Sequence, residues 1–334
     1  MHFLFINLFM ELFHSILIIK MKIMAYLCIL FLFLFSALLH SCQSGFDETD
    51  SSMQSGSSAI PTSTSFVLSQ APDSHSQGGY TEVVEKLDVM IFYKKGGDYV
   101  YSNRQQPVSL KEETDRLIAR FDNLQDNLPE GATPADCRLF FVANGDRLNY
   151  NNLLQPGATT LARFGNALFG REDEPGNGRR IMTATAVMPL QNASAEPVSV
   201  ALKRRVARID FVCSLPGFVM NKAVLENVSA KTTLLETDNP AWVSYPPKEA
   251  LIVDLAKQTA ASAFPFPTDN KENKVKLHLM GTLNGKPVAA NTLFEGASGP
   301  VDIVANTVYK VNVSAPRTRS TQEKQIINLI ISKQ

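Results

Sequence analysis

Residues 197–213, PVSVALKRRVARIDFVC, constrain the fold more tightly than any other stretch. Val198, Val200 and Leu202 recur at period two, as do Ala207, Ile209, Phe211 and Cys213, with Arg204, Arg205 and Arg208 between and beside the runs. Successive strand side chains point to opposite sides of the pleat, so a strand buried on one face requires this alternation. The segment therefore predicts strand, basic interruption, strand. It stands behind the polar residues 191–196, and we read it as the start of a second β domain.

A chain of 334 residues suits about two domains of ~150 residues each. Short apolar runs separated by Gly, Pro, Ser, Thr and Asn point to a β-rich protein, without heptads or long repeats. Residues 1–41 hold only Lys20, Lys22 and Glu11 as charges, which leaves 30 basic and 31 acidic residues in the remainder. That balance provides no basic face for nucleic acid.

Residues 25–39 are continuously apolar and follow Lys20 and Lys22, the charged and apolar regions of an export signal. The run ends Leu39-His40-Ser41-Cys42: aliphatic, then small, then cysteine, the order of a bacterial lipobox. Such a signal predicts a lipid on Cys42 and removal of residues 1–41. A transmembrane anchor is the other reading, because the run approaches the ~20 residues that span a bilayer. A second apolar run precedes the signal, so we expect translation to begin at Met21 or Met24. Residues 42–61 are acidic and Ser-rich, with too little apolar surface to fold, and read as a tether.

Within 62–195 we expect a first β domain. Residues 64–69 are a short strand. Residues 86–93, KLDVMIFY, place Leu87, Val89, Ile91 and Tyr93 on one side and Met90 and Phe92 on the other, which predicts a central strand with two buried faces. Residues 109–128 read as a helix, with Leu110, Leu117, Ile118, Phe121, Leu124 and Leu128 at three- and four-residue steps and a capping box from Ser109 to Glu112. Its mixed-charge polar face favours a helix that covers a sheet over one that binds a partner or membrane. Residues 138–144 return to strand, residues 148–169 have a weaker helical tendency broken at Pro156-Gly157, and 181–188 form a further strand.

Within 196–334 we expect the second β domain. Residues 274–280 alternate, with Val275, Leu277 and Leu279 inward. Asn284-Gly285 predicts a tight hairpin, since both central residues of a type I′ turn need positive φ. Residues 308–313 and 326–332 close the chain as strands, and a terminal strand is well placed to pair with a neighbouring chain.

Signs of catalysis are scarce. Beyond Cys42 the histidines are His75 and His278, far apart in sequence, and no His/Cys spacing suits a metal. There is no G-x-S-x-G elbow, P-loop or dinucleotide fingerprint, and no cofactor is expected. Cys137 and Cys213 each lie in or beside an apolar strand, so buried free thiols are the default and a disulfide between them the alternative.

Taken in order, these pieces resemble the fimbrillin family, the subunits and accessory proteins of type V pili of Bacteroidetes-type bacteria. The pieces are the lipobox at Cys42, residues 86–93 and 138–144, Met188-Pro189, residues 198–212 with their L-x-R-x-V-A-R-I pattern, and ANTVYKVNV at 305–313 before the last strand. The resemblance implies two tandem transthyretin-like Greek-key β-sandwich domains with minor helical insertions, and a structural, non-enzymatic role. It implies as partners other fimbrial subunits joined by strand complementation, the outer membrane through a lipid, and host or bacterial surface ligands.

In stalk subunits of that family, cleavage after a basic residue removes the first strand, and a neighbour's C-terminal strand fills the groove. Here the removable strand would be Thr64, Phe66, Val67, Leu68 and Ser69, and the donor strand Ile326, Ile327, Leu329, Ile330 and Ile331. The chain departs from the stalk pattern, because no Lys or Arg lies between Cys42 and Lys86. That favours an uncut, lipid-retaining anchor or accessory subunit over a polymerising stalk or tip subunit. A glycan- or peptide-binding lipoprotein of similar fold is the other class, with Trp242 and Tyr245 as its candidate platform.

Overall fold

The structure is a computed structural model that describes residues 63–70, 83–113, 116–126, 128–174, 179–189, 197–235, 248–257, 261–315 and 327–334. It is mostly β. The first strands are β1 (Ser63–Gln70), β2 (Leu87–Lys95), β3 (Asp98–Gln105), β4 (Ser109–Glu113), β5 (Arg116–Asp122), β6 (Cys137–Ala143), β7 (Leu168–Gly170), β8 (Met182–Val187) and β9 (Val198–Arg204). All but β7 join one eight-stranded sheet in the order β3-β2-β6-β8-β9-β1-β5-β4. β9 meets β8 only at its end, through Lys203 and Arg204, and pairs with β1 along Val198 to Leu202. The sheet folds over at that joint. Phe66, Phe121 and Leu202 from one half then share a core with Val89, Ile91, Leu139 and Phe141 from the other, which makes a sandwich.

The reading of residues 86–93 as a doubly buried strand holds. Leu87, Val89 and Ile91 face the sandwich core, while Met90 and Phe92 face a second core outside it. β6 repeats the arrangement, with Leu139 and Phe141 inward and Phe140 and Val142 outward. The outer core is roofed by residues 145–170, where Leu148, Tyr150, Leu154, Phe164 and Phe169 come down on the sheet. This insertion contains one-turn helices Tyr150–Leu153 and Leu161–Gly165, the second capped by the Thr160 hydroxyl, which accepts from the Arg163 amide at 3.1 Å. It also closes the edge of β3: the Tyr101 amide donates to Thr159 O (2.8 Å), and the Gly157 amide to Tyr101 O (2.9 Å).

The helix expected over 109–128 does not form. Residues 109–113 and 116–122 are instead the antiparallel pair β4 and β5, matched from Ser109↔Arg120 to Glu113↔Arg116. Ala119 and Phe121 are buried, with Leu117 packed beside them, so the face turned inward follows period two. The apolar positions fit both periods. The edge of β1 decides between them, because a helix there would leave that edge without ladder partners. The covering role assigned to this segment falls to residues 145–170.

The second set of strands is β10 (Arg208–Cys213), β11 (Phe218–Ser229), β12 (Lys231–Thr233), β13 (Lys248–Asp254), β14 (Ser262–Ala263), β15 (Lys276–Leu283), β16 (Lys286–Leu293), β17 (Glu295–Gly296), β18 (Gly299–Pro300), β19 (Val308–Ser314) and β20 (Asn328–Lys333). Sheet β14-β10-β19-β20 packs on sheet β13-β11-β15-β16. Between them lie Ile209, Phe211, Leu225, Leu277, Leu279, Tyr309, Val311 and Val313. β15 and β16 join at Asn284 and Gly285, whose φ angles of 49° and 78° are the positive pair expected for that turn. Residues 197–213 thus divide between the two sandwiches: β9 belongs to the first sheet, β10 starts the second, and the basic residues 204–208 are the crossover. A start of the second sandwich at residue 196 is therefore early by one strand.

Tyr309 closes the second core. Its ring stacks edge-on against Phe294 at 5.5 Å. Its hydroxyl donates to Asp302 O at 2.6 Å and accepts from the Val304 amide at 3.0 Å. Burial pushes this phenol up from 10.0 to about 12, and pushes the Tyr150 phenol up as well. Such groups stay protonated in the fold while the unfolded chain ionises. Their stabilisation is complete below about pH 10 and is lost as pH rises through the folded values. Urea midpoints taken from pH 8 to 12 are expected to fall above about pH 10. Tyr309→Phe is expected to be less stable by about 1–2 kcal/mol at pH 8 and to lose less on alkalinisation. A midpoint that stays flat to pH 12 would contradict this account.

Candidate assembly strands

Thr64, Phe66 and Leu68 of β1 point into the first core, and the Phe66 and Leu68 side chains are 0% and 2% exposed. Val67 is half-buried on the opposite face and Ser69 is exposed. β1 runs antiparallel to β5, from Ser63↔Asp122 to Leu68↔Leu117, and parallel to β9, from Phe66↔Val198 to Gln70↔Leu202. It is an interior strand with ladder neighbours on both edges. The Phe66 ring stands edge-on to Phe121 at 5.8 Å and to Phe141 at 5.2 Å, so it ties both halves of the sandwich together. Burying each of these large side chains contributes roughly 1.5–3 kcal/mol. Taking β1 away would leave facing rows of unpaired amides and carbonyls on β5 and β9 above an open core, a groove that one extended segment could refill.

β20 occupies a different kind of position. Among the described residues it pairs only with β19, antiparallel, from Tyr309↔Lys333 to Ser314↔Asn328, as the last strand of its sheet. Ile327 and Ile331 enter the core, Leu329 packs on its rim, and Ile330 points outward, 39% exposed. The Gln334 amide donates to Val308 O at 3.0 Å and fastens the end. β1 and β20 stand in separate sandwiches and share no sheet. The remaining candidate residues Ile326, Trp242, Tyr245 and Cys42 lie outside the described residues.

Both thiols are free. Cys137 is buried and donates through Sγ to Thr133 O at 3.3 Å. Burial first, then the Asp136 carboxylate, pushes its thiol up from 9.0 to about 11, while Arg138 opposes; the thiolate needed for exchange chemistry is disfavoured. Cys213 is half-buried and lies 3.6 Å from Leu215 O. His278 sits on the outer face of β15, with Nδ1 2.8 Å from Asn291 Oδ1 and Nε2 3.2 Å from Glu226 Oε2. Among the described residues no group of three or more His, Cys, Asp or Glu side chains is placed to hold a metal ion.

Two neighbours of β1 escape sequence reasoning. β5 is hidden because its apolar residues also fit a helix, although Leu117, Ala119 and Phe121 carry the strand signal. β9 is hidden because it lies about 130 residues downstream of β1 in the chain, and its alternation says nothing about which strand it joins.

No family model and no curated protein matches the chain. Solved structures do. A fimbrial assembly protein from Parabacteroides distasonis is 14% identical, with 82% of this chain and 96% of that chain covered at a TM-score of 0.53. A candidate cell adhesion protein from Bacteroides eggerthii is 13% identical, with coverage of 82% and 95% and a TM-score of 0.52. The tip fimbrial protein of Porphyromonas gingivalis, truncated at its C-terminus, is 13% identical, with coverage of 81% and 100% and a TM-score of 0.50. The chain therefore has the fold of Bacteroidetes fimbrial proteins.

The contrast between the two strands is measurable by guanidinium denaturation. Phe66→Ala is expected to cost about 3–5 kcal/mol, because its cavity lies between both halves of the sandwich. Ile330→Ser, at an outward position, is expected to stay within about 0.5 kcal/mol of the wild type. Equal losses would contradict the placement of these strands.

Proposed function

We propose that this protein is a structural, non-catalytic fimbrial protein of the cell surface. In this reading it is held at the outer membrane by a lipid on Cys42 and serves as an anchor or accessory subunit that keeps its first strand. The fold it shares with fimbrial assembly and tip proteins supports the cell-surface role. One observation carries the preference for an uncut chain: a cut behind β1 at a basic residue has no substrate before Lys86.

Lys86 is itself a poor target. It directly precedes β2, and its carbonyl accepts from the Asn144 amide at 2.8 Å. The Asn144 side chain binds the same segment, accepting from the Glu85 amide at 3.1 Å and donating to Val83 O at 2.8 Å. A protease needs an extended, detachable segment, and residues 83–86 are pinned to the end of β6. The next basic residues are in or beyond β2. With β1 retained, the first sandwich is complete, and the strand available for exchange with another subunit is β20. Among the described residues it has one ladder neighbour where β1 has two, which makes it cheaper to detach than β1.

The intact mass of the protein extracted from outer membranes tests this reading. A mass that begins at Cys42 and includes acyl chains is expected, and Cys42→Ser should abolish membrane retention. A lipid-free product starting beyond about residue 70 would overturn the anchor reading in favour of a polymerising stalk or tip subunit. Full-length, lipid-free protein that binds glycans through Trp242 would favour a ligand-binding surface protein.

A further inference from the structure

Residues 231–235, which follow β11, leave their own sandwich. β12 pairs antiparallel with β7 in the roof of the first sandwich, from Lys231↔Gly170 to Thr233↔Leu168. Beyond β12, Leu234 is 0% exposed and belongs to the core that holds Met90, Phe92, Phe140 and Phe164. Its amide donates to Ala167 O at 3.2 Å, and the Leu235 amide donates to Gly165 O at 2.8 Å. The Thr183 hydroxyl, on β8, donates to Leu234 O at 2.6 Å. From the crossover, Arg205 donates through Nε to Thr233 O at 2.9 Å. Gly165 makes this close approach available, since a Cβ there would lie 2.8 Å from Leu235 Cβ.

A second contact runs beside the first. Phe266, which follows β14, stands edge-on to Phe169 at 5.7 Å, and the Arg171 guanidinium lies over the Phe266 ring at 4.6 Å. Arg171 also donates to Glu249 Oε1 at 2.9 Å and to Phe264 O at 3.2 Å. The Arg180 guanidinium lies 4.3 Å over the Phe264 ring. Val206 and Phe266 share the core of Leu234. Opening either sandwich alone would expose this core and strand several buried backbone groups.

We propose that residues 231–235 are a strap that joins the two sandwiches into one cooperative unfolding unit, so that neither opens while the other stays folded. A connection that merely spanned the strands would need no ladder with the other sandwich. It would also have no reason to bury a leucine there. The strap acts on stability and rigidity, and it is independent of how the protein assembles.

Native-state hydrogen exchange of the mature chain reads this directly, in conditions where exchange follows opening equilibria. Ile209→Val weakens only the second core, where Ile209 is buried. It is expected to speed the slowest exchange at Leu277 and Leu279 of β15 roughly five-fold. With the strap in place, Phe140 and Phe141 of β6 should speed up by the same factor, although they lie in the other sandwich. In a Leu234→Ala background the same change should reach only the β15 amides. Thr183→Val serves as the background if Leu234→Ala does not fold. A response confined to β15 in the intact chain overturns the proposal. An equal β6 response with and without the strap contacts also overturns it, since coupling would then run elsewhere.

Discussion

The parallel ladder between β1 and β9 brings the start of the described chain against a segment about 130 residues later, and the first sandwich depends on that closure. β9 holds β1 along one edge and turns the sheet back on itself at Lys203 and Arg204, so Phe66 can reach both Phe121 and Phe141. The same strand then runs through residues 204–208 into β10, where the second sandwich begins. A long-range pairing is expensive in chain entropy and is held here by the core that Phe66, Leu68, Val200 and Leu202 enter from one face of the ladder.

The second sandwich repeats this arrangement, again between strands far apart in the chain. β10 runs parallel to β19 and antiparallel to β14, as β1 runs parallel to β9 and antiparallel to β5. The two arrangements differ in what covers their outer faces. The β3-β2-β6 face is roofed by residues 145–170, and the strap from the second sandwich completes that roof. The outer face of β13-β11-β15-β16 carries Ile252, Met280 and Leu293 among charged residues, each substantially exposed. One outer face is thus consumed in joining the sandwiches. That difference explains why β2 and β6 are apolar on both sides while β15 alternates cleanly.

Assembly by strand exchange would use two unlike positions. β1 is interior, with ladders on both edges, whereas β20 has one neighbour among the described residues and an inward-facing row of Ile327, Leu329 and Ile331 that begins just before it. A segment leaves a sheet more readily from an edge, where fewer backbone hydrogen bonds and less buried surface are lost. The pinned residues 83–86 add to this asymmetry, because Asn144 holds the segment that leads into β2 through three hydrogen bonds that involve Val83, Glu85 and Lys86.

The sequence by itself determines the class and much of the register. Period-two alternation at 64–69, 198–202, 207–213 and 275–279 marks strands and says which residues face a core. The double-sided pattern at 87–92 identifies a strand covered twice, and Asn284-Gly285 fixes a hairpin through its backbone angles. The absence of Lys and Arg between Cys42 and Lys86 is likewise a property of sequence alone. Tertiary structure decides the rest. Alternation reports the face a side chain takes and never the strand it pairs with, so the placement of β1 between β5 and β9 was not legible. The apolar positions of residues 109–113 and 116–122 suit either period, and only the need to pair the edge of β1 makes them strands. Residues 231–235 look like an ordinary connection until the pocket that receives Leu234 has been assembled from Phe92, Phe140 and Phe164. In each case the deciding energy comes from burial and backbone pairing between segments far apart in the chain, which no local pattern records.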